Sequence, residues 1–478
     1  MATRVTVLGA GPGGYVAAVR AAQLGAAVTV VEAAQVGGTC LNRGCIPSKI
    51  MKTSAELLEQ FHRADAFGIV TGGTAALEMQ KLMARKRSVL DTQIRGIENL
   101  LQHHGATLVR GRAAIDGPGR VSAVDVDGQA THWTWDRLII ATGSRPFPVP
   151  AFPFDGRRIL SSDHILDITS VPESILIVGG GVIGCEFAGI LSAMGSRVIV
   201  VEALDRLLPL PSVDAGCSKV LEREMKKRKI KCYVNRVVEA IDAGDGGAIR
   251  VTIGPSPFAG ELKERDRVPV TETVSQALVC IGRSPNTEEM GLERIGLDTD
   301  AKGWIAVDEG MQTRVSGVYA IGDVLGPERV MLAHVASTEA MVAAENALGG
   351  ERVMDYAAVP GAIFTMPEVA CVGFTEAQAA EQGIDARSDT VLFRAIGKAQ
   401  VIGELAGQAT LVSDRADGRV LGVHMIGPHV TDLIGEGGLA VANHLHVADI
   451  AATIHAHPTL AEIMLEAGLK ASGKALHG

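Results

Sequence analysis

The sequence predicts an α/β fold in which a strand–glycine turn–helix–strand unit occurs twice, followed by a separate C-terminal domain of mixed strands and helices. Three observations carry this. A β-prone apolar run near the N-terminus meets a glycine-rich turn and then an Ala-rich helical stretch. The same plan returns at residues 174–202. From about residue 347 the pattern changes to interspersed strands and helices, including apolar runs at 409–412 and 420–426.

In the first copy, residues 4–8 meet Gly9-Ala10-Gly11-Pro12-Gly13-Gly14, a helical stretch runs to 24, and a second apolar run, 28–31, ends at Glu32. In the second, a strand at 175–178 meets Gly179-Gly180-Gly181-Val182-Ile183-Gly184. A helix then runs to 194, and a strand at 198–201 ends at Glu202. The first glycine stands 23 residues before the acid in both copies. This spacing has a physical reason. Gly9 or Gly179 permits the tight turn, and Gly11 or Gly181 lets backbone amides approach a pyrophosphate. Gly14 or Gly184 allows close helix–strand packing, and Glu32 or Glu202 accepts bonds from a ribose. The helix N-terminus adds partial positive charge. Both units therefore read as Rossmann-like dinucleotide sites. Glu202 would repel a 2′-phosphate, and Ala203 and Leu204 are not basic, which favours NAD over NADP.

Each copy closes with another apolar strand ending in glycine, at 138–143 and 277–282, placing Thr142, Gly143 and Gly282 at strand ends. A third such run, 318–323, sets Asp323 just past a strand, where it either binds a ligand or caps the next helix. Residues 245–272, rich in Gly, Pro and charge, read as surface hairpins and loops.

The 478 residues suggest three or four domains. A 47% hydrophobic and 21% charged balance fits an ordered globular chain, and 56 glycines without a Gly-X-Y period point to tight turns. The formal charge of −9 offers no basic field for nucleic acid. No stretch approaches the ~20 apolar residues that cross a bilayer, so no membrane partner is expected. Only Met-Ala-Thr-Arg precedes the first strand, too little for a signal peptide, and the expected location is cytoplasmic. Seven cysteines, an odd count, read as thiols, so any disulfide should be catalytic.

Gly37-Gly38-Thr39-Cys40-Leu41-Asn42-Arg43-Gly44-Cys45-Ile46-Pro47-Ser48-Lys49 follows the first acid. Two cysteines four residues apart reach each other on a helical turn or tight loop. At a helix start beside Lys49 a thiolate is stabilised. The alternatives are two small buried hydrophobes, or a metal site, for which no second ligand pair is present. Near the C-terminus, His455-Ala456-His457-Pro458-Thr459-Leu460-Ala461-Glu462 offers a base, His457, with Glu462 to orient it. Glu462 also completes a capping box with Thr459, and His455 with His457 has the form of a His-X-His metal pair lacking a third ligand. Cys185, Cys217, Cys232, Cys280 and Cys371 read as core or bystander residues, and His103, His104, His444 and His446 as surface or loop residues.

On these motifs the chain resembles, over essentially its whole length, the pyridine nucleotide–disulfide oxidoreductases. The resemblance implies an FAD-binding domain with the redox cysteines at 1–146 and an NAD-binding domain at 147–278. A central domain completing the FAD site follows at 279–346, then a C-terminal α+β dimerisation domain at 347–478. It implies that Cys40 exchanges with substrate while Cys45 lies against the flavin, and that Lys49 and Glu186 pair beside the flavin's reactive nitrogen. For Glu186 a plain first-turn helix acid is the alternative. Gly38, Thr39 and Ala113 would contact FAD, the last at its adenine end; Asp323 would bind the ribityl chain, and Met331, Leu332, Ala333 and His334 would run along the flavin. Val182 and Ile183 would join the NAD turn, with Gly282 near NAD. The implied reaction is oxidation of protein-bound dihydrolipoamide by NAD+ in a homodimer, with His457 reaching the cysteine pair of the other subunit. The partners would be lipoyl domains and the acyltransferase core of a 2-oxo acid dehydrogenase complex, or a glycine cleavage system. The rivals are an NAD(P)H-dependent reductase of a low-molecular-weight disulfide, for which Arg206 is the nearest basic residue to Glu202, and a docking or redox-sensing subunit. Against the commonest pattern stand Met366, Phe364, Val335 after His334, Gly437-Gly438, which should loosen a helix by roughly 1 kcal/mol per glycine, and Ile50-Met51-Lys52.

Overall fold

The structure, a computed structural model, describes residues 1–242, 247–261, 264 and 267–477. The chain forms two compact units. One comprises Met1–Met51, Glu78–Pro148 and Gly282–Asp355; the other comprises Lys52–Leu77, Val149–Ile281 and Tyr356–Gly478.

The first unit is built on a parallel sheet in the order Val318–Ala320, Arg137–Ile140, Arg4–Leu8, Ala27–Glu32, Thr107–Arg110. Its central strands are apolar on both faces, as a sheet covered on both sides requires; Val7, Leu8, Leu138, Ile139 and Ile140 are fully buried. Helices Pro12–Gln23 and Ala333–Ala347 cover it through alanines, Ala17, Ala18 and Ala21 on one and Ala336, Ala340 and Ala343 on the other. Small side chains let the backbones come close: a Cβ on Gly13 would stand 3.3 Å from the Ala336 carbonyl oxygen.

The second unit repeats that sheet. Its order is Lys231–Tyr233, Arg197–Val201, Ser174–Val178, Gln276–Val279, Ile159–Ser161, again parallel. The first four strands correspond one to one with those of the first unit. The fifth does not: the later chain supplies it in one sheet, the preceding chain in the other. The correspondence extends to the crossover, where each copy inserts a three-stranded antiparallel sheet, Arg112–Gly117, Arg120–Val124 and Ala130–Thr134 in one, Arg236–Asp242, Ile249–Pro255 and Val270–Val274 in the other. The stretch expected to be hairpins and loops thus carries two strands of a regular sheet; its residues 245, 246, 262, 263, 265 and 266 lie outside the described residues. Further on in this unit is an antiparallel sheet in the order Gly361–Ile363, Glu368–Gly373, Val420–Gly427, Gln408–Asp414, Ala386–Leu392. Helices Val430–Ala442 and Glu462–Ala471 pack on it around Val423, Met425, Leu411, Ile463 and Met464. Among the described residues no helix is long and apolar enough to cross a membrane.

Candidate functional site

The two glycine turns are near copies in three dimensions. Gly9 has φ +99° and Gly179 +105°, and a side chain on either would press on backbone at the end of the neighbouring strand, Ala141 or Cys280. A Cβ on Gly14 or Gly184 would overlap the carbonyl oxygen of Gly9 or Gly179. The middle glycines differ in kind. A Cβ on Gly11 would find only Gly38 at 3.7 Å, and one on Gly181 would meet nothing within 4 Å. Two positions are therefore closed by the protein itself, while the position assigned to the pyrophosphate is open, ahead of helices Pro12–Gln23 and Val182–Ala193 that begin immediately after it. The acids are held by the turns they serve. Glu32 accepts from Ala10 N–H at 2.7 Å and Ala34 N–H at 2.8 Å; Glu202 accepts from Gly180 N–H at 2.6 Å and Leu204 N–H at 2.8 Å. Each carboxylate oxygen retains a lone pair for a ribose hydroxyl. These features fit two dinucleotides.

The cysteine motif is folded onto the first turn. Gly37 N–H donates to Ala10 O at 2.7 Å, and a Cβ on Gly38 would stand 2.6 Å from Gly11 Cα. Asn42 Nδ2 donates to the carbonyls of Val36 and Gly38, which curls the segment. Cys40 sits in the short helix Gly38–Arg43, Gly44 breaks it, and Cys45 is the first residue of helix Cys45–His62. All seven cysteines are thiols. The Cys40 thiol hydrogen-bonds to Cys45; this bond first, then burial, pushes its pKa far up, with Lys49 pulling weakly the other way. The start of helix Cys45–His62 favours negative charge on Cys45.

At the end of strand Arg137–Ile140, Thr142 has a buried hydroxyl with no partner among the described residues, and Gly143, at φ +69°, has open space where a side chain would be. An orphaned hydroxyl beside an open glycine suits a bound group. Asp323 does not cap a helix in this structure: it accepts from Ser144 Oγ at 2.7 Å, while Arg283 donates to Ser144 Oγ at 2.6 Å and lies 3.7 Å from the carboxylate. Ser144 and Arg283 were not among the sequence candidates. Nor was Glu339, 1% exposed, which accepts the Gly322 N–H at 2.7 Å and so braces the turn bearing Asp323. Met331 and Leu332 lead into helix Ala333–Ala347, which opens with Ala333 and His334. Ala113 lies in strand Arg112–Gly117 opposite Ala123, and Gly282 has φ +132° and accepts from Phe147 N–H at 3.0 Å.

In the second unit, Glu186 is buried beyond the first turn of helix Val182–Ala193 and accepts the Phe364 N–H at 2.9 Å. The reading as a first-turn acid does not describe it. His457 Nδ1 lies 2.9 Å from Glu462 Oε1, with the histidine side chain 75% exposed. Burial raises the Glu462 pKa, but His457 and the Thr459 amide outweigh it and hold the carboxyl below its ordinary value. The expected capping box is half formed: Thr459 N–H donates to Glu462 Oε2 at 2.9 Å, whereas the Thr459 hydroxyl turns to Ala456 O at 2.7 Å. His455 goes elsewhere, to Glu436 at 3.0 Å and Thr453 O at 2.9 Å, so the two histidines serve separate carboxyl groups. Among the described residues no group of three or more His, Cys, Asp or Glu is arranged to hold a metal. Cys185, Cys217 and Cys371 are buried, and burial raises their pKa values; burial pushes Cys232 and Cys280 up to about 12.

Residues 3–340 match the pyridine nucleotide-disulphide oxidoreductase family, and residues 359–468 match that family's dimerisation domain. The chain is 41% identical to a dihydrolipoyl dehydrogenase of Bacillus subtilis strain 168, over 99% of this chain and 98% of that one. It is 38% identical to one of Geobacillus stearothermophilus, over 99% and 97%. The crystal structure of LpdA from Mycobacterium tuberculosis superimposes with a TM-score of 0.88 at 29% identity, covering 98% of this chain and 99% of that one.

Proposed function

This chain belongs to the pyridine nucleotide-disulphide oxidoreductase family, whose members use FAD and NAD, and from that premise we propose that it oxidises dihydrolipoamide to lipoamide with reduction of NAD+. The observation that carries the reading is the Cys40–Cys45 pair, hydrogen-bonded, at a helix start and packed on the first dinucleotide turn. The assignments follow. Gly9, Gly11, Gly14, Glu32, Gly38, Thr39, Ala113, Thr142, Gly143 and Asp323, with residues 331–334, hold FAD; Gly179, Gly181, Val182, Ile183, Gly184, Glu202 and Gly282 hold NAD. Bound FAD would supply the two-electron chemistry that couples the dithiol to NAD+.

The chain's own residues do the sulfur chemistry. His457, oriented by Glu462, removes a substrate thiol proton, since the thiolate is the attacking species. That thiolate attacks Cys40 of the oxidised Cys40–Cys45 disulfide, expelling Cys45 as thiolate. The second substrate thiol then displaces Cys40, which leaves with a proton, and lipoamide departs with its own disulfide closed. Two electrons have moved to the cysteine pair. Lys49 and Glu186 are assigned to the flavin. We place the enzyme in the cytoplasm on its thiols and in a homodimer formed through residues 359–468. It would serve lipoyl domains carried by another protein, in a 2-oxo acid dehydrogenase complex or a glycine cleavage system.

The nicotinamide choice rests on a charge argument. In this reading Glu202 faces the ribose and repels an NADP phosphate, and Arg206, the nearest basic residue in sequence, is committed to Ser218 Oγ at 2.7 Å and to the carbonyls of Leu210 and Val213. This disfavours an NADPH-dependent reductase of a small disulfide. The test is Cys45→Ser: dihydrolipoamide-dependent NAD+ reduction should vanish while FAD remains bound. Undiminished turnover, or faster reduction of oxidised glutathione by NADPH in the unaltered protein, overturns the reading.

A further inference from the structure

Three departures scattered through the sequence, Lys52, Phe364 and Met366, meet in one place. Lys52 Nζ donates to Glu368 Oε1 at 2.9 Å and to Glu56 Oε1 at 2.5 Å, with 7% of its side chain exposed. It also lies 5.9 Å from the centre of the Phe364 ring. Glu368 Oε2 accepts from the Thr431 hydroxyl at 2.7 Å. Residues 364–367 form the turn between strands Gly361–Ile363 and Glu368–Gly373, so this cluster grips the turn at both ends. Within it Thr365 Oγ1 donates to Pro367 O at 2.7 Å. The turn faces helix Val182–Ala193: a Cβ on Gly189 would stand 3.5 Å from Met366 Cγ. One turn earlier on that helix, Glu186 Oε1 takes the Phe364 amide at 2.9 Å.

We propose that Lys52 is a positioning residue for Glu186: the buried Lys52–Glu368 ion pair anchors the 364–367 turn, and the turn's Phe364 amide fixes the carboxylate that Glu186 presents to the flavin. The proposal rests on the reading of Glu186 as a flavin-side acid. A lysine this deep persists only when paired. Burial pulls the Lys52 pKa down, but Glu368 and Glu56 more than reverse this and raise it, so the ammonium stays charged. Removing that charge leaves the half-buried Glu368 with, among the described residues, only Thr431 on one of its oxygens, and the turn loses that anchor. Small displacements of a group beside a reacting centre are costly to rate.

The test is a double-variant cycle on the FAD-loaded enzyme with Lys52→Met, Glu186→Gln and the pair, reading the midpoint potential of the bound flavin and kcat with dihydrolipoamide and NAD+. Lys52→Met should shift the potential in the same direction as Glu186→Gln and lower kcat about tenfold. In the Glu186→Gln background it should change kcat by less than about twofold. Lys52→Arg, which keeps the ion pair, should restore most of the rate. Effects that multiply in the double variant, or a Lys52→Met protein altered only in melting temperature, overturn the proposal. An unmoved potential in Glu186→Gln overturns instead the flavin-side reading of Glu186, and the proposal falls with it. Should Lys52→Met lose FAD, Thr431→Val weakens the same carboxylate more gently and is read in the same cycle.

Discussion

At Glu462 the two carboxylate oxygens are divided between jobs: Oε1 faces His457 Nδ1 and Oε2 takes the Thr459 amide. The backbone bond holds the carboxylate, and in the proposed mechanism the carboxylate in turn orients the imidazole so that Nε2 serves as the base. Sequence reading left two roles open for this residue, helix cap and orienter, and the structure does not form the capping box. Helix Glu462–Ala471 begins at the acid itself, so Thr459 is too early to cap it. Such a division is invisible in a spacing pattern. Invisible for a different reason is the Ser144–Arg283–Asp323 group, whose members come from residues 139 and 179 apart in the chain and meet through the short ladder of Arg283–Pro285 with Ser144–Pro146. We expect Glu462→Gln to slow dihydrolipoamide oxidation by about 10²-fold. Electron transfer from NADH to ferricyanide, which needs no thiol deprotonation, should be unchanged; a parallel loss of both rates would mean that Glu462 serves the fold rather than the base.

Elements were legible where local chemistry and burial agree. The strand expected at 4–8 is Arg4–Leu8, and the helices expected to end at 24 and 194 end at Gln23 and Ala193. Short strands such as Ile159–Ser161 and Lys231–Tyr233 carry too few residues for a periodicity, and only their neighbours in the sheet define them. Glycines inside helices show the same divide. Gly437, expected to loosen its helix, is required by packing: a Cβ there would stand 2.9 Å from Val423 Cβ and 3.3 Å from Val372 Cγ1, on the sheet beneath. Gly96, inside helix Met79–His103, has nothing within 4 Å of the same position. Gly437→Ala should therefore destabilise by about 1–3 kcal/mol through overpacking, whereas Gly96→Ala should stabilise by about 1 kcal/mol through helix propensity. Thermal melts of the two FAD-loaded variants should move in opposite directions, and a common sign would refute the packing argument.

For the whole molecule, the motifs alone gave the parts of a disulfide-exchange site, and only the family resemblance implied that two subunits share it. Cys40 and Cys45 belong to one compact unit and His457 to the other, and the segment bearing His457 lies within residues matching the dimerisation domain. A motif gives the identity of a base but not the chain whose cysteines it serves, because that is decided by symmetry rather than by spacing. We propose that in the homodimer His457 of one subunit serves as the base for the cysteine pair of its partner. The consequence is testable without a structure of the dimer. Cys45→Ser and His457→Gln homodimers should each be inactive toward dihydrolipoamide. Unfolded together in equal amounts and refolded with FAD, they should yield heterodimers with one site built wholly from unaltered residues, and about a quarter of the wild-type rate should return. A base acting within its own subunit would leave both heterodimer sites defective, and the mixture would stay as inactive as its parents.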